Sequence, residues 1–348
     1  MRILLVTNMY PNKSATSYGV FVKNIHLGLT NNESNLVYLC AMTRTNGKLL
    51  PYIYLYCKFI YLLLTKKIDI VYCHFISRTA LLGFIAKYIF RKKLVFNLHG
   101  SDYLLPALSN SSIHKINEYA LEVADGVVVP SRAFLDRVKE LSPTLCKSNF
   151  FVSPSGGVFR PEKVKYFSEP TDSLCCLYIG QISEAKGLSV LKSALEEVDF
   201  KISLILIGKQ CPKFNFKVAN PLVTLNLIGE VVQSDLVMFY KSAHVLVFPT
   251  LYFESLGLSP IEAMAYGLPV IASNYGPIPE YVHNNLNGYL FKKGDHKDLL
   301  VQLNKFNGLS LGAKQDLSMN AFKTAGQYSR HEVIIKLQRF LESCFEKK

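Results

Sequence analysis

Two glutamates separated by seven residues, Glu254 and Glu262, are the first groups in this sequence that suggest a chemistry. A pair of carboxylates either supplies the acid and base of a hydrolysis or accepts hydrogen bonds from the hydroxyls of a ligand. If the chain between them were wholly helical, they would lie roughly 12 Å apart. The acid and base that cleave one glycosidic bond lie only roughly 5–9.5 Å apart. The spacing therefore favours a single long ligand with hydroxyls at both ends.

The residues around this pair predict a strand, a loop and a helix. The apolar run Val245–Pro249 indicates a buried parallel strand. Ser259 before a proline, with Glu262 three residues later, is typical of a helix start, and it predicts a helix over Ile261–Tyr266. Leu268–Ser273 then predicts the next strand. Such a βαβ unit binds ligands where its loop meets the start of its helix.

A nucleotide sugar fits these features, because it has hydroxyls at each end and a diphosphate between them. The free N–H groups at the helix start, around Leu256, Gly257 and Leu258, would receive the diphosphate. Two simpler interpretations remain open. Glu262 would then only cap the helix, and Glu254 would be a solvated loop charge.

The stretch EAMAYGLPVIASNYGPIPE that begins at Glu262, with Glu254 ahead of it, closely resembles the donor-site signature of the family 4 retaining glycosyltransferases. The resemblance implies an α/β protein with the GT-B fold, in which two Rossmann-like domains face a central cleft. It also implies transfer of a sugar from a nucleotide-diphosphate donor with retention at the anomeric carbon. Glu254 would then hold the donor sugar's hydroxyls, and Glu262 would hold the ribose.

A second stretch resembles the same family and follows the predicted strand Leu174–Ile179. In the family an arginine comes just after the first glycine of this stretch and a lysine before the second, and both neutralise the donor diphosphate. Lys186 matches the lysine, but Gln181 replaces the arginine. An amide donates a hydrogen bond without adding positive charge. Either Lys186 and the helix-end amides suffice, or the donor is held more weakly.

Two further stretches resemble segments that line the family's cleft. The strand predicted over Lys93–His99 ends in His99-Gly100-Ser101-Asp102, and a histidine at the carboxyl end of a parallel strand points toward a ligand cleft. His99 would be a catalytic contact to the donor sugar, and Asp102 would lie on the acceptor side. Gly19 would let the backbone of the first loop approach the donor. A structural histidine and an ordinary helix-start glycine are the alternatives, and His74 is a weaker candidate at the end of the preceding strand.

The charge lies mostly in the N-terminal half of the chain. Residues 1–165 contain 21 Lys and Arg and 9 Asp and Glu, whereas the remaining residues are nearly balanced at 18 and 17. The segment Leu49–Lys67 is rich in leucine and tyrosine, includes Lys58 and is too short to span a bilayer, so it favours a helix in an anionic membrane interface. A helix packed on the sheet is the alternative. No nucleic-acid motif is present, so a lipid-linked glycan acceptor fits the charge better than a nucleic acid.

The length of 348 residues predicts two domains. We expect an acceptor- and membrane-facing domain over residues 1–165 and a nucleotide-sugar domain over 170–328. We expect a last helix over 329–348 that returns to the first domain. The eight cysteines have no metal-type spacing, and the first residues predict a strand and do not indicate a signal peptide. These features predict a cytoplasmic protein, peripheral at the inner face of the membrane.

The function predicted is a step in bacterial surface polysaccharide assembly (O-antigen, capsule or exopolysaccharide). No metal or other cofactor is expected, because a clear Asp-x-Asp pair is missing and Lys186 with the helix dipole would stabilise the leaving diphosphate. Two other functions remain open. One is a GT-B nucleotide-sugar epimerase. The other is a non-catalytic nucleotide-sugar-binding subunit that supports a partner transferase, which the uncharged Gln181 would favour.

Overall fold

The computed structural model describes residues 1–12, 18–42, 50–100, 102–104, 112–164 and 172–346. Within these ranges the chain divides into two compact units. Unit 1 comprises Met1–Gly157 and Arg330–Lys348, and unit 2 comprises Val158–Ser329. Four parts of the sequence predictions lie outside the described residues: Leu49, Ser101, positions 165–171 and positions 347–348.

Unit 1 is a parallel six-stranded sheet in the order β2-β1-β3-β4-β5-β6. Its strands are β1 (Arg2–Thr7), β2 (Leu36–Ala41), β3 (Ile70–His74), β4 (Lys93–Asn97), β5 (Gly126–Val129) and β6 (Phe150–Val152). Its helices are α1 (Val20–Thr30), α2 (Leu50–Thr65), α3 (Ile76–Phe84), α4 (Ser112–Val123) and α5 (Arg132–Leu141), and a π-helical turn (Ile85–Ile89) follows α3.

Unit 2 repeats this architecture with a second parallel sheet, in the order β12-β11-β10-β7-β8-β9. Its strands are β7 (Leu174–Ile179), β8 (Ile202–Ile207), β9 (Val223–Gly229), β10 (Val245–Phe248), β11 (Val270–Ser273) and β12 (Gly288–Phe291). Its helices are α6 (Leu188–Glu196), α7 (Leu236–Ser242), α8 (Leu258–Ala265), α9 (His296–Asn307) and α10 (Leu311–Gly326). The predicted α/β class with two parallel sheets is confirmed.

The central strands are apolar and buried along their whole length. Ile3, Leu4, Leu5 and Val6 of β1 are fully buried. In β10, the first three residues are fully buried and Phe248 is 5% exposed. Strands covered by helices on both faces need apolar side chains on both faces, which explains why these runs do not alternate with polar residues. The carboxyl ends of the strands in each sheet lie at one edge, where the connecting loops carry the polar side chains.

The last helix, α11 (Arg330–Glu346), belongs to unit 1. It packs on α1, where Ile334 lies so close to Gly28 that an added Cβ would come within 2.5 Å of Ile334 Cγ1. Asn32 Nδ2 donates to Gln338 Oε1 over 2.5 Å, and this hydrogen bond holds α11 beside the loop that follows α1.

Helix α2 covers most of the segment for which we expected an interfacial helix, and it has one buried and one exposed face. Leu55 and Phe59 are fully buried, whereas Tyr54 and Tyr61 are 53% and 59% exposed. The alternative of a helix packed on the unit is therefore met by one face, and contact of the exposed face with a membrane stays a prediction. In the described part of the chain, we find no helix with the length and hydropathy needed to cross a bilayer.

Candidate active site

Two candidate functional residues of unit 2 lie where the loops after β7 and β10 meet. These strands are parallel neighbours, with Leu177 opposite Leu246, so their carboxyl ends share one edge of the sheet. The loop after β7 contains Lys186 and the loop after β10 contains Glu254. Lys186 Nζ lies 2.6 Å from Glu254 Oε1, so the two predicted donor-binding residues form an ion pair.

The two loops meet because a glycine lets their backbones touch. Gly187 has a φ of 74°, and a Cβ at this position would lie 1.7 Å from the carbonyl oxygen of Pro249. Leu251 N–H donates to the carbonyl of Ala185 over 3.1 Å. Any side chain at position 187 would force the loops apart and would move Lys186 away from Glu254.

The ion pair is partly open to solvent and keeps free hydrogen-bonding capacity. The side chains of Lys186 and Glu254 are 24% and 13% exposed. Thr250 Oγ1 lies 3.1 Å from Glu254 Oε1, and the Lys186 ammonium lies 5.2 Å from the centre of the Tyr252 ring. An ammonium has three donors, and Glu254 is its only hydrogen-bond partner among the described residues. Two donors of Lys186 therefore remain for anionic oxygens.

Helix α8 begins three residues earlier than its sequence predicts. It starts at Leu258, and the residue before it, Gly257, adopts a left-handed conformation with a φ of 80°. The expected capping by Ser259 is wrong, because Ser259 lies inside the helix and no side chain caps this end. The backbone N–H groups of Leu258 and Ser259 have no partner within the helix, and such a helix end suits an anion.

The loop that leads into α8 is held by a buried tyrosine. The Tyr281 hydroxyl lies 3.0 Å from the carbonyl oxygen of Leu256 and 3.1 Å from that of Gly257. An added Cβ at Gly257 would come within 2.8 Å of this hydroxyl. The Tyr281 hydroxyl therefore fixes the backbone at the helix start, where the first N–H groups point along the helix axis toward its N-terminal end.

Glu262 is held by side chains from outside its own helix. Gln233 Nε2 donates to Glu262 Oε1 over 2.9 Å, and the Tyr240 hydroxyl donates to Oε2 over 3.2 Å. Burial, followed by the nearby Glu262 carboxylate, raises the pKa of Tyr240 well above its usual value, so this hydroxyl stays protonated. These two hydrogen bonds orient the carboxylate, which has about four acceptor positions. The helix-capping interpretation of Glu262 is wrong, because α8 begins at Leu258 and Glu262 is its fifth residue, whereas a capping-box carboxylate stands at the third position.

Gln181 lies in the same loop as Lys186 but points outward. Its side chain is exposed, and no described residue makes a hydrogen bond to it. Its backbone carbonyl accepts a hydrogen bond of 2.7 Å from the Tyr178 hydroxyl. Lys186 is therefore the residue of this loop that offers positive charge at the ion pair.

In unit 1, two histidines from neighbouring strands share a hydrogen bond. His74 is the last residue of β3, and His99 lies two residues beyond the end of β4. His74 Nδ1 lies 2.9 Å from His99 Nε2. The rings of Phe21 and Phe75 flank His99, with centroids 4.8 and 4.5 Å from that of the imidazole. Burial lowers the pKa of His99 to about 3, so its ring is neutral at pH 7.

Asp102 supports the turn that contains His99. Its Oδ1 accepts from the His99 backbone N–H over 2.9 Å, and its Oδ2 accepts from that of Ile76 over 3.0 Å. The residue is only 3% exposed, and burial raises the pKa of its carboxyl to about 6. In this structure Asp102 fixes the backbone beside His99, and the acceptor-side role expected of it stays a prediction.

Gly19 lies directly before α1 with a φ of 75°. A Cβ there would lie 2.7 Å from the carbonyl oxygen of Met9, so contact with the loop after β1 is enough to explain the glycine. A role in donor binding stays a prediction. Among the described residues, no group of three or more His, Cys, Asp or Glu is arranged to hold a metal ion.

Residues 159–323, nearly all of unit 2, match the family described as glycosyl transferases group 1. Unit 2 is a group 1 glycosyl transferase domain. The Lys186–Glu254 pair, the start of α8 and Glu262 all lie within it.

Curated relatives resemble the chain over parts of its length. An uncharacterized glycosyltransferase of Methanocaldococcus jannaschii is 28% identical over 237 residues, which are 68% of this chain and 64% of the relative. The capsular polysaccharide biosynthesis glycosyltransferase CapM of Staphylococcus aureus is 30% identical over 40% of this chain and 38% of the relative. The chain therefore spans slightly less than two thirds of the first of these relatives and a smaller share of the second.

A solved structure resembles the whole chain in fold. Anabaena HepE in complex with UDP superposes with a TM-score of 0.73 at 18% identity, covering 99% of this chain and 100% of HepE. The same protein has also been solved with UDP-glucose. Together with the two parallel sheets, this similarity confirms the predicted GT-B fold.

Several residues of the group 1 domain's site gave no signal in the sequence. Gln233 and Tyr240 come more than twenty residues before the glutamate they contact, and Tyr281 comes more than twenty after the carbonyls it contacts. Thr250, the last polar residue before the loop of Glu254, could have been found because it directly follows the strand predicted there. The others depend on the tertiary fold.

Proposed function

We propose that this protein is a retaining glycosyltransferase. It transfers a sugar from a nucleotide-diphosphate donor to a lipid-linked glycan during assembly of a bacterial surface polysaccharide. The observation that carries the proposal is the arrangement around α8. A lysine and a glutamate meet beside its free N-terminal amides, and a second oriented carboxylate lies one turn into the helix.

Each part of this arrangement suits one part of a nucleotide sugar. Glu254 accepts hydrogen bonds from the sugar's hydroxyls, and Glu262 accepts them from the ribose. Lys186 and the amides from Leu258 onward bind the diphosphate, whose charge they stabilise as it leaves. The proposed mechanism assigns no step to a metal or another cofactor, so activity should survive a chelator.

The transfer can proceed on one face of the sugar. The acceptor hydroxyl oxygen forms a bond to the anomeric carbon while the bond from that carbon to the phosphate oxygen breaks. The acceptor's proton passes to the leaving phosphate oxygen, so no side chain has to act as a base. Glu254 and His99 contact the substrate in this scheme and orient it. Retention rests on the family resemblance, and NMR of the product's anomeric carbon tests it.

The comparisons support the donor and the pathway. HepE binds UDP and UDP-glucose, which makes uridine diphosphate sugars the first donors to try. CapM is named for capsular polysaccharide biosynthesis, which supports a surface polysaccharide as the product class.

The surface of unit 1 supports an acceptor held at a membrane. The connections β2→β3, β3→β4 and β4→β5 all step the same way across the sheet, so right-handed crossovers place α2, α3 and α4 on one face. Apolar side chains that are 45–70% exposed line this face. They are Leu50, Ile53, Tyr54, Tyr61 and Leu64 of α2, Leu81 of α3, Tyr88 and Ile89 of the π-helical turn, and Ile113, Ile116 and Tyr119 of α4.

Positive charge accompanies this apolar surface. Lys66 and Lys67 follow α2 and are exposed, and Lys58 lies within it. Arg91 follows the π-helical turn and is also exposed. Exposed aromatic and aliphatic groups with lysines around them suit an anionic bilayer surface. We therefore place the protein at the inner face of the cell membrane, where a lipid diphosphate acceptor would be found.

A panel of nucleotides tests the proposal. UDP, GDP, ADP and their sugar derivatives are mixed with the protein, and a ligand that binds the folded state raises the melting temperature. We expect one nucleotide to raise the melting temperature of the wild type and to raise that of Lys186→Met by less. Lys213→Met, which changes an exposed lysine, is the matched control and should respond like the wild type. A panel without any shift contradicts the proposal.

Turnover then separates the remaining functions. With the binding nucleotide sugar and a lipid-linked acceptor, a transferase forms a longer glycan. A new sugar nucleotide formed without acceptor would instead identify an epimerase. Tight binding without turnover on any lipid acceptor would identify a non-catalytic subunit, and either result would overturn the proposal.

A further inference from the structure

The two histidines of unit 1 form a pair whose protons can be placed. Their rings are tilted by only 6° with respect to each other, and the centroids are 5.2 Å apart. His74 Nδ1 and His99 Nε2 are 2.9 Å apart, a distance at which one nitrogen donates and the other accepts. His74 is fully buried, while His99 keeps partial exposure.

The other ring nitrogen of His74 decides which histidine donates. His74 Nε2 is buried and has no hydrogen-bond partner in the described part of the chain. A neutral imidazole has one ring proton. A proton on Nε2 would leave a buried N–H donor without an acceptor, an arrangement that is rare in folded proteins. The proton therefore belongs on Nδ1, from where it is donated to His99 Nε2.

Both rings are uncharged at neutral pH, so only one proton occupies the bond between them. Burial, and then the nearby His99, lowers the pKa of His74 well below its usual value. Burial among the aromatic rings lowers the pKa of His99 to about 3. An acceptor at Nε2 leaves the ring proton of neutral His99 on Nδ1.

We infer that His74 is a positioning residue that holds His99 in the Nδ1-protonated tautomer, so that His99 presents an N–H donor to the substrate. Among the described residues, His99 Nδ1 has no hydrogen-bond partner. A sugar hydroxyl oxygen or a phosphate oxygen can accept from it. The opposite tautomer would present a lone pair to the same atoms, which is the wrong polarity for a phosphate oxygen.

This inference deepens the proposed function, and only its kinetic part rests on it. The tautomer itself can be observed without any substrate. In the full-length protein labelled with ¹⁵N-histidine, long-range ¹H–¹⁵N correlation distinguishes a protonated ring nitrogen from a bare one. His99→Gln and His74→Gln assign the signals, and His296→Gln, which changes a half-buried histidine of unit 2, is the matched control.

The expected spectrum at pH 7 shows His99 with Nδ1 protonated and Nε2 bare, and His74 likewise protonated on Nδ1. In His74→Leu the His99 signals should shift toward a mixture of both tautomers. In His74→Asn, whose amide can still donate, the wild-type tautomer of His99 should be partly restored. A wild-type spectrum with His99 protonated on Nε2 overturns the inference, and this holds even if His74→Leu does not fold.

Kinetics provide a second measurement once a donor is known. His74→Leu should lower kcat about tenfold or more with a smaller change in the donor KM, since misplaced protonation mainly weakens contacts in the transition state. Equal kcat values for His74→Leu and the wild type would also contradict the inference. If the spectrum shows the predicted tautomer but the protein transfers no sugar, the inference about the histidine pair stands. The proposed transferase function is then rejected.

Discussion

Lys186 Nζ lies 2.6 Å from Glu254 Oε1, so the side chains proposed to hold a diphosphate and a sugar bind each other in the free protein. The carboxylate keeps the ammonium in the site, where it is pre-positioned for a phosphate oxygen. The same carboxylate repels a diphosphate, because its negative charge lies close to the phosphate site. Binding of a donor therefore has to redistribute this ion pair, with the sugar's hydroxyls taking over part of Glu254's hydrogen bonding.

The contact between the two loops predicts a large loss of stability on a minimal substitution. Gly187→Ala would place a Cβ 1.7 Å from the Pro249 carbonyl oxygen at a φ of 74°. We expect it to lower the free energy of unfolding by about 3 kcal/mol or more, measured by urea denaturation.

A glycine in α10 provides the matched control for this substitution. Nothing lies within 4 Å of a Cβ built at Gly312. Gly312→Ala should therefore be neutral or stabilise the protein by up to about 1 kcal/mol, as alanine favours helices. Similar unfolding midpoints for the two variants would show that the loops do not need the close approach.

The partners of Glu262 predict how the protein distinguishes ribose from deoxyribose. If Glu262 binds the ribose, the wild type should bind UDP more tightly than its 2′-deoxy or 3′-deoxy analogue. If another nucleotide binds, the same comparison is made with that nucleotide and its deoxy analogues. Glu262→Gln should reduce this preference about tenfold, and Tyr240→Phe should reduce it less, because Gln233 still orients the carboxylate. Calorimetric titration measures both affinities.

The exposed Glu33→Gln is the control for the loss of one carboxylate. It should keep the wild-type preference. A Glu262→Gln variant that still distinguishes the two nucleotides as the wild type does would remove the ribose from the assignment.

Much of the fold follows from local apolar patterns. Leu174–Ile179 is a strand over the residues that its apolar run predicts, and Val245–Phe248 fills the predicted run Val245–Pro249 except for its proline, because a strand buried on both faces needs no alternation. The cap of α5 is also predictable: the Ser131 hydroxyl accepts from the Phe134 N–H over 3.1 Å, the usual task of a serine before a helix.

The details of the site were harder to predict because they depend on distant residues. The pattern around Ser259 is typical of a helix start, yet the left-handed Gly257 lets α8 begin at Leu258. Glu262 then faces Gln233 and Tyr240, which local sequence does not connect with it. A local rule for capping was overridden by tertiary packing.

The buried carboxyl of Asp102 predicts an unusual pH dependence of stability. Its pKa is raised from 3.8 to about 6 in the folded protein, so the folded state binds more protons than the unfolded state between these values. The contribution of Asp102 to stability should therefore be complete below pH 4 and fall as the pH rises through 6. The loss amounts to about 3 kcal/mol.

Asp102→Asn tests this contribution by difference. Other groups titrate in the same range, but they cancel when the unfolding free energies of wild type and variant are subtracted at each pH. The wild type should lose stability relative to Asp102→Asn between pH 4 and 6.5. A constant difference across this range would contradict the raised pKa.

The basic residues near α2 predict salt-dependent binding to anionic membranes. Lys58→Gln, Lys66→Gln and Lys67→Gln in one variant should weaken binding to phosphatidylglycerol vesicles about tenfold or more, since each lysine near such a surface contributes about 1 kcal/mol. Vesicle sedimentation at low and high salt measures the effect.

Three exposed lysines of unit 2 provide a control with the same change in charge: Lys213→Gln, Lys217→Gln and Lys241→Gln. This variant should bind vesicles nearly as the wild type does. If both triple variants bind alike, the face formed by α2, α3 and α4 is not the membrane-binding surface.

Calorimetric titration of UDP, or of the nucleotide that the panel identifies, into Lys186→Met and Glu254→Gln tests the central assignment most directly. Lys186→Met should weaken binding tenfold or more, because it removes a charge-assisted hydrogen bond that contributes about 1.5–3 kcal/mol. Glu254→Gln should bind the nucleotide as tightly as the wild type or more tightly, and yet fail to transfer the sugar. Unchanged affinity in Lys186→Met, or an equal loss of affinity in both variants, would contradict the assignment.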